Sequence, residues 1–365
     1  MADQWPASIP AEWKPKPEDE LIHVPWGDES LPWKDTFFFS LRDVTRNANI
    51  AMHMTVSGNR SPNTRVTIGV GQGNNSTLQT CREDGTHNEK QIGNSMSRLE
   101  IVNLSWDSDH ELRWIADLDE VSFDLTVKGK HFAPLWDTMF EGYYAKGSKD
   151  GLAGQFYGHA EQIIVAEGTI TWKNDGIELP FQGFGWRDRG WGRRKTQLMW
   201  NTGWDLVGGV LPDDSVFSFI ALRSHELPEP APMPVGGWWS DATTLSPLVG
   251  GFYHKEATMA PLEYELTFDC GLTIAGKVVK PTGRMATSLQ EAEFGVPGMP
   301  NITPNMMDWY ALMRDPAGNE FEIFTQCGTM HKLDVFKNGQ FIRAGHPPVQ
   351  LVTRPGNPST WTNRE

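Results

Sequence analysis

Cysteine is scarce: Cys81, Cys270 and Cys327 are the three in 365 residues, far apart in sequence and odd in number. That excludes a disulfide framework and a CxxC metal knuckle, and the three are expected to be reduced, buried thiols. Long apolar runs are missing too. No stretch approaches the roughly 18 uncharged apolar residues of a membrane span, and Met1-Ala2-Asp3-Gln4-Trp5-Pro6 has neither the basic nor the apolar segment of a secretory leader. A soluble, cytoplasmic protein is expected. Positive charge is in deficit, with 32 Lys and Arg against 46 Asp and Glu for a net charge of −14. Such a surface repels phosphate backbones and anionic lipid heads, which argues against nucleic acid as a partner. Nucleotide, zincin, serine-hydrolase and calcium motifs are all absent, and Gly69-Val70-Gly71-Gln72-Gly73 runs into Asn74-Asn75-Ser76 as a turn rather than into a helix. The histidines are dispersed. His53, His131, His159, His254 and His331 read as core or surface residues, and no triplet has metal spacing, so neither a metal nor another cofactor is expected.

What is present is aromatic and turn-rich. Sixteen Trp and eighteen Phe against six Tyr, with 36 Gly and 25 Pro, suit a large β core with many tight turns. Leu112, Trp114 and Ala116, then Val121, Phe123, Leu125 and Val127, alternate with polar residues, and Val216 to Leu222 reads as a buried strand. Asn174-Asp175-Gly176 and Asn338-Gly339 each separate two strand-like runs and predict hairpins. Helical spacing is confined to Pro134–Tyr144 and to a turn or two at Ser288–Glu293. The first 22 or so residues read as an arm wrapped over the body, and the last dozen as a loose tail. The fold class is therefore all-β, with two antiparallel β domains, sandwich or barrel, and few short helices. The Pro-rich run in 227–236 is taken as a linker between an N-terminal β domain, 1–226, and a C-terminal one, 237–365.

Chemistry concentrates in Gly183-Phe184-Gly185-Trp186-Arg187-Asp188-Arg189-Gly190-Trp191-Gly192-Arg193-Arg194, where one carboxylate, four guanidiniums and two indoles lie between glycines. On a strand, Trp186, Asp188 and Gly190 share one face while Arg187, Arg189 and Trp191 share the other. Two readings follow. Either the run lines a pocket, or it is a latch in which arginine, aspartate and tryptophan hold sheets together. Asp107, Asp109, Asp117, Asp119 and Glu120 form an acidic stretch that reads as a solvated strand edge.

The pattern Gly183-x-Gly185-Trp186-x-Asp188-x-x-Trp191-Gly192, preceded by the hairpin from Glu167 to Gly183, resembles the signature of the carotenoid 1,2-hydratase (hydroxyneurosporene synthase) and AttH-like superfamily. The likeness spans about thirty residues and continues weakly through Met199-Trp200-Asn201-Thr202-Gly203-Trp204-Asp205. It implies two lipocalin-like, or calycin, domains and cofactor-free water addition to isoprenoid double bonds or cyclisation of polyenes. By position, Asp188 matches the motif's acid and Trp191 its aromatic, whereas the histidine that follows the acid is Arg189 here. The tyrosine and aspartate that hydratases carry on the next strands have no counterpart in Ser215-Val216-Phe217-Ser218-Phe219-Ile220. The expected activity is cofactor-independent acid and base chemistry, as a lyase or isomerase, on a hydrophobic unsaturated or aromatic small molecule of terpenoid, steroid or phenylpropanoid type. Asp188, Arg189 and Trp191 are the expected catalytic residues, and Trp186, Arg187, Trp200, Trp204, Tyr253 and Tyr310 the expected substrate contacts. A non-catalytic, lipocalin-like carrier of such a ligand is the alternative, and a homodimer is compatible with either.

Overall fold

The computed structural model describes residues 6, 8–23, 33–57, 63–73, 75–83, 86–87, 91–94, 98–103, 111–132, 134, 155–193, 202–224, 233–255, 261–288, 305–329, 335–337, 340–342 and 346–352. Nearly all of them are strand. Outside the described residues lie Asp107 and Asp109, the helical spacing of 135–144 and 289–293, residues 227–232, Trp200 and the C-terminal tail. Among the described residues no helix is long and apolar enough to cross a membrane.

The first unit is one antiparallel sheet of eleven strands: β1 (Trp33–Asp43), β2 (Ala48–Ser57), β3 (Asn63–Gln72), β4 (Asn75–Glu83), β5 (Thr86–His87), β6 (Gln91–Asn94), β7 (Leu99–Asn103), β8 (Glu111–Asp117), β9 (Val121–Gly129), β10 (Gln155–Trp172) and β11 (Ile177–Arg193). Its order, β4-β3-β2-β1-β11-β10-β9-β8-β7-β6-β5, puts the first and last strands side by side within the sheet. The expected alternation holds in β8 and β9, where Leu112, Trp114, Ala116, Val121, Phe123, Leu125 and Val127 are buried and join a core with Phe37, Phe39, Met52, Met54 and Ile164. The sheet curls around that core. Trp172 Nε1 on β10 donates to Gln72 Oε1 on β3 at 2.8 Å. Along a flat sheet, strands that far apart would be separated by about 19 Å. The Asn174-Asp175-Gly176 turn joins β10 to β11, with Gly176 at φ 61. The glycine-rich 69–73 run differs from expectation: Gly69 to Gln72 continue β3 in register with β2, and only Gly73 turns, at φ 57.

The second unit is a closed barrel built from β12 (Thr202–Val210), β13 (Val216–Ser224), β14 (Met233–Ser240), β15 (Leu245–Lys255), β16 (Pro261–Phe268), β17 (Thr273–Ser288), β18 (Asn305–Arg314) and β19 (Glu320–Thr329). The Asn338-Gly339 hairpin forms as β20 (Val335–Lys337) and β21 (Gln340–Ile342), and β22 (His346–Val352) inserts between β14 and β15. Phe217, Phe219, Tyr264, Leu266, Phe268, Met313, Phe321 and Ile323 fill the barrel's core. The two-unit, all-β expectation is met, but the run at 227–236 lies inside one unit, which takes in 195–240 and 245–365, rather than between the two. The reason is register. β12 pairs with β19 and β13 with β14, so the strands on both sides of the Pro-rich run belong to one barrel. Cys270 also differs from expectation, lying exposed in the turn after β16.

Candidate active site

β11 has two buried faces with opposite chemistry. On one, Arg187 and Arg189 are 3% and 1% exposed, and both are committed to carboxylates of this chain. Arg187 forks onto Glu20, with Nη1 and Nη2 donating to Oε2 and Oε1 at 2.8 and 2.7 Å. Its Nε donates to Gln162 Oε1 at 2.7 Å, and the Gln162 amide lies over Gly129, where a β-carbon would come within 2.0 Å of it. Arg189 pairs with the fully buried Asp35, donates to the Leu21 carbonyl and lies 3.9 Å over the Phe37 ring. Glu20 and Leu21 belong to the N-terminal arm, which makes two 3-10 turns, Ala11–Trp13 and Pro17–Glu20, before reaching β11. His23 is the last described residue of the arm. Its backbone N–H donates to Asp35 Oδ2 at 2.7 Å, and its ring stacks on Trp191 at 4.2 Å and 13°. Trp191 in turn covers Gly158 on β10, where a β-carbon would meet the indole at 2.0 Å. These contacts tie the arm, with Asp35 of β1, to β11 as a latch. Of the residues expected at the site, Arg187 and Arg189 pair with Glu20 and Asp35, and Trp191 stacks on His23.

Electrostatics explains the latch's stability. Burial alone raises the Asp35 carboxyl, but the Arg189 charge and the His23 contact outweigh it and hold the group below its usual range. Burial pulls His23 below the ordinary imidazole value, with the Asp35 hydrogen bond opposing and the Arg189 charge adding to the fall.

The other face carries Asp188, on the side of the strand away from the guanidiniums. Register places Phe38 of β1 on one side of it and Glu161 of β10 on the other. His159, opposite Gly190, reaches both acids, with Nε2 3.2 Å from Asp188 Oδ1 and 3.5 Å from Glu161 Oε1. Side-chain exposure grades from 0% at Glu161 through 5% at His159 to 30% at Asp188. Asp188 is the open end. One ligand atom from each of the three lies within 4.8 Å of the others, close enough for a proton or a cation to be shared. Trp186, on this face, is fully buried, and Thr36 Oγ1 donates to the Gly190 carbonyl at 3.0 Å.

The remaining expected contacts are elsewhere. Tyr310 is fully buried on β18, opposite Phe324 of β19, with ring centroids 5.3 Å apart. Trp204 and Tyr253 fall on β12 and β15, in the strand ladders with Leu222 and Tyr264. Sequence reasoning missed His159 and Glu161, although a signal existed. His159-x-Glu161 has strand period two, and counting outward from the 173–176 turn sets Glu161 opposite Asp188.

A family model described as a domain of unknown function, DUF7064, matches residues 16–296, more than half of the chain. The chain belongs to the DUF7064 family. Among solved structures, this DUF7064 member is similar to an AttH-like protein from Nitrosomonas europaea, with 10% identity, a TM-score of 0.57 and coverage of 88% of this chain and 98% of that one. At that identity the likeness establishes the fold. Kievitone hydratase from Nectria haematococca matches with 14% identity and a TM-score of 0.44, over 87% and 96% of the two chains. No curated protein matches the sequence.

Proposed function

We propose that this protein is a hydratase-type enzyme, a cofactor-independent lyase that adds water to, or removes it from, a neutral hydrophobic unsaturated molecule. The observation that carries the reading is the graded trio: an acid open to the outside, bonded to a buried histidine that is backed by a second, fully buried carboxylate. In hydration, Asp188 gives its proton to one alkene carbon, water's oxygen bonds to the other, and the proton that water loses returns to Asp188. His159 shares that proton between turnovers, filling the role of the histidine that Arg189 replaces in the resembled motif. Two carboxylates gathered around one histidine favour a substrate that develops positive charge over an anionic one. The hydratase resemblance of the Trp186–Trp191 motif supports the same chemistry, and terpenoid, steroid and phenylpropanoid alkenes or their tertiary alcohols are the classes to try. A cytoplasmic, metal-free enzyme is part of the proposal.

The test incubates the protein with a panel of such alkenes and alcohols, with and without a chelator, and follows mass change. Gain or loss of one water, kept in chelator and lost in Asp188→Asn, supports the reading. Binding without conversion across the panel overturns it in favour of the carrier, and turnover abolished by chelator overturns the metal-free chemistry.

A further inference from the structure

His23 occupies a position that the latch alone does not explain. His23 Nδ1 lies 3.1 Å from Asp35 Oδ2 and 3.0 Å from Arg189 Nη2, while the ring covers Trp191. A neutral imidazole suits this place, because Nδ1 can give a proton to Asp35 or accept one from the guanidinium. An imidazolium does not. It sets a second cation beside Arg189, with Asp35 already shared between the two. The other charges facing His23 leave this balance intact: Asp19 acts on it from a distance, and Glu20 is already forked by Arg187. Asp19 also accepts from the Lys16 backbone N–H at 2.7 Å, which closes the turn before Glu20.

We propose that His23 is a positioning residue for Asp188, and that its protonation releases the arm from β11. Arg187, Arg189 and Trp191 alternate with Asp188 along one strand, so the arm grips from behind the same backbone that presents the acid. Seated, the arm holds β11 flat against β1 and β10, and lifting it frees that segment to move. The proposal's functional meaning rests on the hydratase reading, but its test needs no substrate.

Hydrogen exchange by mass spectrometry between pH 5 and 8, corrected for intrinsic rates, follows peptides spanning the arm and β11. The expected result is that protection of the arm and of the Asp188 segment falls together, several-fold, on acidification. In His23→Gln, which cannot titrate, both become independent of pH over that range. The titration of the His23 ring followed by NMR in the wild type coincides with the loss of protection, and this second readout stands even where a variant folds poorly. Equal protection across the pH range, an unchanged pH response in His23→Gln, or an arm that exchanges while the Asp188 segment does not would each overturn the proposal. Failure of the substrate panel with the exchange result intact would remove the hydratase reading and leave the strap.

Discussion

The two faces of β11 use the same residue types to opposite ends. On the arm side Arg187 is answered by Glu20 and Arg189 by Asp35, each pair buried and supported by further hydrogen bonds. On the site side the balance is reversed, with Glu161 and Asp188 gathered around His159 and the acid left partly open. Paired arginines and carboxylates fix structure, while two carboxylates sharing one histidine can keep a proton exchangeable. Period-two alternation lets one strand do both.

The sharpest way to break this comparison is to strip the arm side. Asp35→Ala leaves Arg189 buried without its carboxylate and is expected to lower the unfolding free energy by about 3–5 kcal/mol, measured by urea denaturation. A loss below about 1 kcal/mol would mean that the latch is ornamental. Next in size is the site side: His159→Asn is expected to cut turnover by about 10²-fold, since general acid and base partners contribute at least that much. Its stability should stay close to wild type. Smaller again is Gly158→Ala, whose methyl collides with the Trp191 indole. Displacing that ring is expected to cost about 1–3 kcal/mol in the same denaturation assay.

The mildest change is pH itself. The folded chain holds His23 below its ordinary value of 6.5, so as pH falls below about 6.5 the unfolded chain binds the proton more readily and stability declines. Asp35 is held below 3.8, so its contribution is complete above about that pH and is lost on further acidification. Thermal melting points should therefore be flat above neutrality and fall in two steps, the first of them absent in His23→Gln. A single step common to both proteins would remove His23 from the account.

Local pattern carried much of this in advance. The alternation of β8 and β9, the two Asn-Gly or Asp-Gly hairpins and the opposed faces of β11 all follow from short-range chemistry that operates within a few residues. The boundary between units did not, because proline content reports chain stiffness and says nothing of which strands pair across it. The partners of Arg187 and Arg189 were likewise hidden: Glu20 and Asp35 lie far back in the chain, and a long-range ion pair leaves no periodic trace. His159 and Glu161 were an intermediate case, reachable by extending the predicted hairpin's register down two long strands.

The central claim is that Asp188 is a site acid and not part of the latch, and equilibrium unfolding tests it without knowledge of the substrate. Asp188→Asn and Arg189→Leu are to be denatured side by side in urea. The account predicts that Asp188→Asn stays within about 1 kcal/mol of wild type while Arg189→Leu loses about 3 kcal/mol or more. Equal, large losses in both variants would contradict it.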